Sequence, residues 1–327
     1  KQADLRSPKG LGTPSGKATP SPCAGGPMPS SAITSRGMAA AGFSVFALIL
    51  GASLPRSAWG CEVRLGGALA ATGKYTSYGE QVKNGWTLWA ERLNAQGGFS
   101  LPSGRCKIAM PLDLRDDQSS KDMSSEILEG MLNSSSPEYA ALDFVLGPAS
   151  SGITLGNSII AERHQRILFS TGASETLYNR GNEYIFSSLT PGNKYMSSGL
   201  ELLRSRGADT VVFAHEAKSF SASVCRGANA TAFALGMRVV GYYEYEPGKT
   251  NFADLVYQIK ALDADIYVGC GHLNDVTYLI GNANVLNVNP SALLVTHASD
   301  QRIIQNVGIQ NSHGLLSPTQ WDKSLEV

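Results

Sequence analysis

ALDFVLGPASSGITL, residues 141–155, begins as an apolar run, halts at Gly147-Pro148, and resumes after two serines set between glycines. Its first part has the length and composition of a buried strand. Its second part continues to about Gln165, long enough for a helix. A strand that hands over to a helix through a glycine corner is half of a βα unit, and the question is whether the unit repeats.

It repeats in both directions. Upstream, VRLGGALA (63–70) reads as a strand. Val82, Gly85, Trp86, Trp89, Ala90 and Leu93 then mark one face of a helix that stops at Gly97-Gly98. Two tryptophans in neighbouring turns could form a sugar-stacking platform; at helical spacing they are expected in the core. KIAMPLDL (107–114) follows as a strand, RDDQSS as a polar turn, and Ile127, Leu128, Met131 and Leu132 as the apolar side of a second helix. Downstream, strands are expected at 166–170 and 184–188. Helices at 194–205, 221–235, 251–262 and 274–286 then alternate with strands at 210–215, 237–245, 265–270 and 292–297, before a last strand at 314–318. Such alternation predicts an α/β fold of two doubly wound parallel-sheet lobes, 61–189 and 190–316, with a hinge crossing at 317–327.

The chain has 327 residues, 43% hydrophobic and 17% charged, with no formal net charge. This balance gives no reason to expect nucleic acid or an anionic membrane surface as a partner. Residues 1–37 are rich in Gly, Pro and Ser and read as disordered. Residues 38–60, MAAAGFSVFALILGASLPRSAWG, follow Arg36, run uncharged to Pro55, and place Ala58 and Gly60 at the −3 and −1 positions before Cys61. That is a signal-peptide pattern and predicts an extracytoplasmic protein: periplasmic, secreted or cell-surface. An uncleaved anchor and a lipoprotein cleavage before Cys61 are the alternatives. Export leaves Cys61, Cys106, Cys225 and Cys270 without a CxxC pair, which speaks for disulfides rather than zinc. Cys61 and Cys106 open the first two strands, neighbours in such a sheet, and are expected to pair. Cys225 and Cys270 are expected to be free thiols. Asn133 and Asn229 head glycosylation sequons.

In doubly wound sheets, ligands bind beyond the carboxyl ends of strands. Two serine-bearing corners lie there, GPASSG with Ser150 and Ser151, and STGASET (170–176) with Ala173 and Ser174. Ser150 is half a nucleophile elbow, because Pro148 stands where a glycine is needed, and none of the five histidines is an evident general base. No Walker loop and no GxGxxG is present, so nothing calls for a nucleotide, another cofactor or a metal. The remaining chemistry is a carboxylate anchor built from helix N–H groups and a serine hydroxyl, against simple N-capping.

VRLGGALAATGKYTSYGEQVKNGWTLWAERLNAQGG, DLRDDQSS, VLGPASSGITL and LFSTGASETL occur in that order. With them the chain resembles the periplasmic-binding-protein type I family, in particular its leucine/isoleucine/valine-binding branch. The resemblance implies a non-enzymatic protein whose two lobes close on a small polar solute, amino-acid-like, without a cofactor. Tyr78, Ser150, Ala173 and Ser174 are the matching contacts in the first lobe. Phe220, His272 and His297 are those in the second, with His297, three residues before Asp300, where amino-acid binders commonly carry an acid. The partner implied is a membrane transporter, or a fused transmembrane signalling domain if the chain is a receptor ectodomain. A chain that later returns to complete the first lobe is also implied, so the 327 residues are expected to be truncated there. An esterase using Ser150 is the remaining reading.

Overall fold

The structure, a computed structural model, describes residues 60–102, 104–133, 142–288 and 290–322. The signal-peptide and disordered segments expected before Gly60 lie outside them.

The first lobe runs β1 (Cys61–Val63), β2 (Leu65–Leu69), α1 (Thr76–Ala95), β3 (Phe99–Leu101), β4 (Gly104–Ile108), β5 (Asp113–Asp116), α2 (Lys121–Leu132), β6 (Phe144–Leu146), α3 (Ser151–Arg163), β7 (Leu168–Ser170) and β8 (Ile185–Ser187). Strands β5-β2-β6-β7-β8 form one parallel sheet. The run 107–114, expected as one strand, is two. Pro111 has no N–H for a ladder, and the chain leaves a small sheet, β1-β4-β3, to rejoin the main one. β1 and β4 are parallel with Cys61 directly opposite Cys106, and the expected disulfide joins them.

Alternation along the strands sends side chains to two layers. Val145, Leu168 and Ile185 pack under α2 and α3 with Leu128 and Ile160. Phe144 and Leu146 pack under α1 with Trp86, Ala90 and Leu93. Trp89, expected in that core, is 50% exposed; its position on the helix turns it away from the seam through Val82, Trp86, Ala90 and Leu93. The centre of the sheet is drawn tight at Gly67, where a Cβ would collide with the carbonyl oxygen of Leu146.

The second lobe follows with α4 (Ser197–Ser205), β9 (Thr210–Glu216), α5 (Ser219–Ala234), β10 (Arg238–Tyr245), α6 (Ala253–Ala261), β11 (Ile266–Cys270), α7 (Leu273–Val285), β12 (Ala292–Val295), α8 (Gln301–Val307) and β13 (Leu315–Leu316). Its strands form the parallel sheet β10-β9-β11-β12-β13. Leu200, Val224 and Ala228 of α4 and α5 cover one face, and Phe252 at the N-cap of α6, with Val256, Ile259 and Leu279 of α6 and α7, the other. α8 was not foreseen; seven residues are too short for a clear period, and its N-cap is Asp300.

Cys225 and Cys270 correct the expectation of free thiols: they form a disulfide. Placed on a helix and at a strand end, they looked remote. α5 lies on β11, both residues point into the same core, and their Cα atoms are 5.9 Å apart. Asn229, expected as a sequon, is half-buried inside α5, and its Thr231 shares a hydrogen bond with Ser197. Asn133 is the C-cap of α2, while the rest of its sequon falls outside the described residues.

Candidate functional site

Both sheets present the carboxyl ends of their strands to one cleft. A cavity of about 630 Å³ lies there, lined by Tyr75, Tyr78, Ser150, Ser151, Thr171 and Ala173 from the first lobe. Phe220, His272, Thr296, His297 and Asp300 line it from the second, and Leu189, Tyr195 and Pro318–Gln320 from the crossing segments. The two crossings run together, with Thr190 N donating to Gln320 Oε1 at 2.9 Å. Seven of the eight residues singled out from the sequence therefore meet in one place.

Ser174 is the eighth, and it does not line the cavity. Its hydroxyl is buried between Thr176 Oγ1 (2.9 Å) and Ser219 Oγ (3.1 Å). Ser151 is likewise committed, accepting from the Ser174 N–H at 3.1 Å. Ser150 differs from both. It is the N-cap of α3, 8% exposed, and its side chain makes no capping bond. The first N–H groups of α3 lack intrahelical partners, so this corner offers a hydroxyl and backbone donors to the cavity. Its backbone is ordinary extended chain, φ −93° and ψ 127°, not the strained turn of a nucleophile elbow.

Aromatic rings enclose the space. Tyr78 stands 5.4 Å from His297 between ring centres, Phe220 stands 5.9 Å from His297 and 5.5 Å from His272, and Tyr195 packs edge-on to Phe220. Tyr78 also joins the lobes, its hydroxyl accepting from the Leu273 N–H, at the start of α7, at 3.0 Å. Burial pushes the Tyr78 phenol up to about 12, so it stays protonated and keeps its own hydrogen to donate.

The two histidines have opposite surroundings. His297 Nε2 is buried without a hydrogen-bond partner. Burial, with the charge of His272 beside it, lowers its pKa to about 4 against the pull of Asp300, so the ring is neutral at pH 7. Asp300 lines the cavity but is held by Arg302, which bonds both of its carboxylate oxygens. His272 is anchored from behind, with Nδ1 2.5 Å from Glu216 Oε2, and its backbone N–H donates to Asp275 Oδ2 at 3.2 Å. Glu216, His272 and Asp275 each offer one ligand atom within 4.8 Å of the others, the only such trio among the described residues. Burial acts to raise Glu216, but the bond to His272 and its charge, with Lys218 and Lys74 nearby, hold it below the usual carboxylate range. Burial and the charge of Glu216 raise Asp275. Sequence reading missed this pair: Glu216 and Asp275 lie 59 positions apart, and only the adjacency of β9 and β11 brings them together.

Two parallel sheets face each other across an aromatic cleft, with an uncapped helix N-terminus at its wall, which is a two-lobed α/β architecture with a cavity between the lobes. The family model described as periplasmic binding protein matches residues 62–326, and the chain belongs to that family. The Leu/Ile/Val-binding protein homolog 7 of Brucella melitensis biotype 1 is 22% identical over 261 residues, 77% of this chain and 61% of that protein. The Leu/Ile/Val-binding protein BraC3 of Rhizobium johnstonii is 23% identical over 214 residues, 64% of this chain and 55% of that protein. The chain thus spans about three fifths of the length of these curated relatives. Among solved structures, the branched-chain amino acid substrate-binding protein LivJ of Streptococcus pneumoniae, in complex with isoleucine, has a TM-score of 0.65 at 17% identity, covering 81% of this chain and 73% of that one. A periplasmic binding protein type 1 of Bordetella pertussis has a TM-score of 0.66 at 21% identity, covering 78% and 68%.

Proposed function

We propose that the chain binds a small carboxylate-bearing solute, an amino acid or a related compound, outside the cytoplasm and delivers it to a membrane transporter. The names of its relatives support the solute class. The observation that carries the reading is the α3 corner, where the hydroxyl of Ser150 and the first backbone N–H groups of the helix face the cavity without partners. A carboxylate there accepts from neutral donors already in place, each bond worth roughly 1.5–3 kcal/mol. Thr171 and Ala173 flank it, Tyr78 donates its phenolic hydrogen, and Phe220 and the two histidines close over the remainder. Ser174, one of the two serines the sequence put forward, acts here by shaping the corner through the Ser151–Ser174–Ser219 chain.

The test is a thermal-shift and calorimetric survey of amino acids, amides and small acids against wild type and Ser150→Ala. Ser150→Ala is expected to weaken the best ligand about ten- to a hundredfold with an unchanged melting temperature. Equal affinity in the two proteins would reduce the corner to a helix start.

A further inference from the structure

Beside the main cavity lies a second one of about 210 Å³ that shares Ser150, Ser151, Phe220 and His272 with it. Three lysines line this smaller pocket: Lys74 before α1, Lys121 at the first turn of α2, and Lys218 at the N-cap of α5. No carboxylate lines it. Among the described residues, none of the three lysines is within 4.0 Å of a carboxylate oxygen; Lys74 rests over the Tyr75 ring, 4.6 Å from its centre. Glu216 and Asp275 stand behind His272 and do not line the pocket, although Glu216 lies within the field of Lys74 and Lys218 and accepts from Ser221 in the first turn of α5, and Asp117 sits behind Ser119.

Two long helices also start here. α3 and α5 both open onto the pocket with no side-chain cap and no acidic residue in the first turn, whereas α2 and α8 are capped by Ser120 and Asp300. The exposed N–H groups and the positive ends of both helices therefore add to the lysine charge. Ser150, which makes no capping bond to α3, lines both cavities, so the smaller pocket adjoins the carboxylate corner of the larger one.

We propose that the smaller pocket is an oxyanion subsite, so that the solute carries a second acidic group there, beyond the carboxylate held in the main cavity. This rests on the reading under Proposed function, and it moves the solute class from neutral zwitterions to acids with two oxyanion groups, such as a dicarboxylic amino acid. A lysine from each lobe contributes, Lys74 from the first and Lys218 from the second, so the second group is grasped only when the lobes meet.

Calorimetry on the full chain with L-glutamate and L-glutamine separates the second charge from the rest of the molecule. L-Leucine and inorganic phosphate serve as further probes. Wild type is expected to prefer glutamate over glutamine by about ten- to a hundredfold. In Lys74→Gln/Lys218→Gln the preference is expected to shrink to within about threefold, with glutamine affinity and melting temperature unchanged. Phosphate that binds wild type, competes with glutamate, and is lost in the double variant would mark a pocket open to any oxyanion, phosphorylated acids included. Phosphate that stays silent while glutamate is preferred assigns it to a carboxylate. Leucine or glutamine bound as tightly as glutamate, with phosphate silent, overturns the subsite and leaves the solute-binding reading standing. Equal losses of glutamate and glutamine in the lysine variant overturn it too, since the lysines would then serve the first carboxylate. Phosphate bound through the lysines while no amino acid or small acid binds would keep an oxyanion pocket and sink the solute-binding reading instead.

Discussion

Ser150 and Ser174 looked alike in the sequence, each a small hydroxyl residue near a strand end, and folding separates them. Ser150 keeps its hydroxyl for the cavity; Ser174 spends both sides of its own on Thr176 and Ser219. Ser174→Ala is therefore expected to act on stability, by about 1–3 kcal/mol, and to leave ligand affinity within a few-fold of wild type, by chemical denaturation and calorimetry on the same samples. His297 supports a pH prediction. Its folded pKa of about 4 lies below the ordinary 6.5, so between these values the unfolded chain takes up a proton that the folded one refuses. Stability is then fully present above pH 6.5, declines as pH falls toward 4, and levels off below it, a loss of at most about 3 kcal/mol. Denaturation of His297→Gln against wild type from pH 4 to 7.5 is expected to show that slope flattened in the variant, and parallel curves would mean the ring is hydrated.

At the scale of elements, the apolar periods read the strands and helices well because each βα unit buries nearly all of one side. They failed where an element is short or changes layer. β4 and β5 share one apolar run yet belong to two sheets, and α8 has too few turns to show a face. Trp89 shows that an i, i+3, i+4 pattern is wider than the stripe a half-covered helix can bury. Ser150, Ser151 and Ala173, on the strand-end corners, meet in the cavity with Tyr78, Phe220, His272 and His297, which the family resemblance supplied, and Ser174 alone of the eight stays outside it. The lysine pocket was illegible, since Lys74, Lys121 and Lys218 come from three separate helix starts that only tertiary packing assembles. The cysteines divide the same way: Cys61 and Cys106 lie on neighbouring strands, whereas Cys225 and Cys270 required knowing that α5 lies on β11. Each disulfide closes a separation of 45 residues, worth about 4 kcal/mol by the chain-entropy model. Cys225→Ala/Cys270→Ala is expected to lose several kcal/mol, and Cys61→Ala/Cys106→Ala a comparable amount. Non-reducing peptide maps recovering either pair as free thiols in secreted protein would contradict the pairing.

At the scale of the molecule, the two lobes are unequally covered. In the second, α4 and α5 on one side and α6 and α7 on the other bury both faces of the sheet. In the first, α2 and α3 cover one face from β6 to β8, while the opposite face has only α1, which packs over β2 and β6. Beyond it, Phe169 and Phe186 stand 42% and 48% exposed, stacked in a row with Phe144 at centre spacings of 6.2 Å. Parallel sheets are stable when both faces are buried, and a row of exposed phenylalanines on one is an adhesive surface. No described residue covers it. A fragment of residues 61–327 expressed alone is therefore expected to melt below about 60 °C, to bind a hydrophobic dye, and to self-associate as concentration rises. Phe169→Thr/Phe186→Thr is expected to reduce dye binding and association together, because threonine keeps the strand preference while removing most of the apolar surface. A fragment that melts cooperatively above that temperature without binding dye would show the face buried in solution, and cross-linking of the fragment would then reveal whether a second copy covers it.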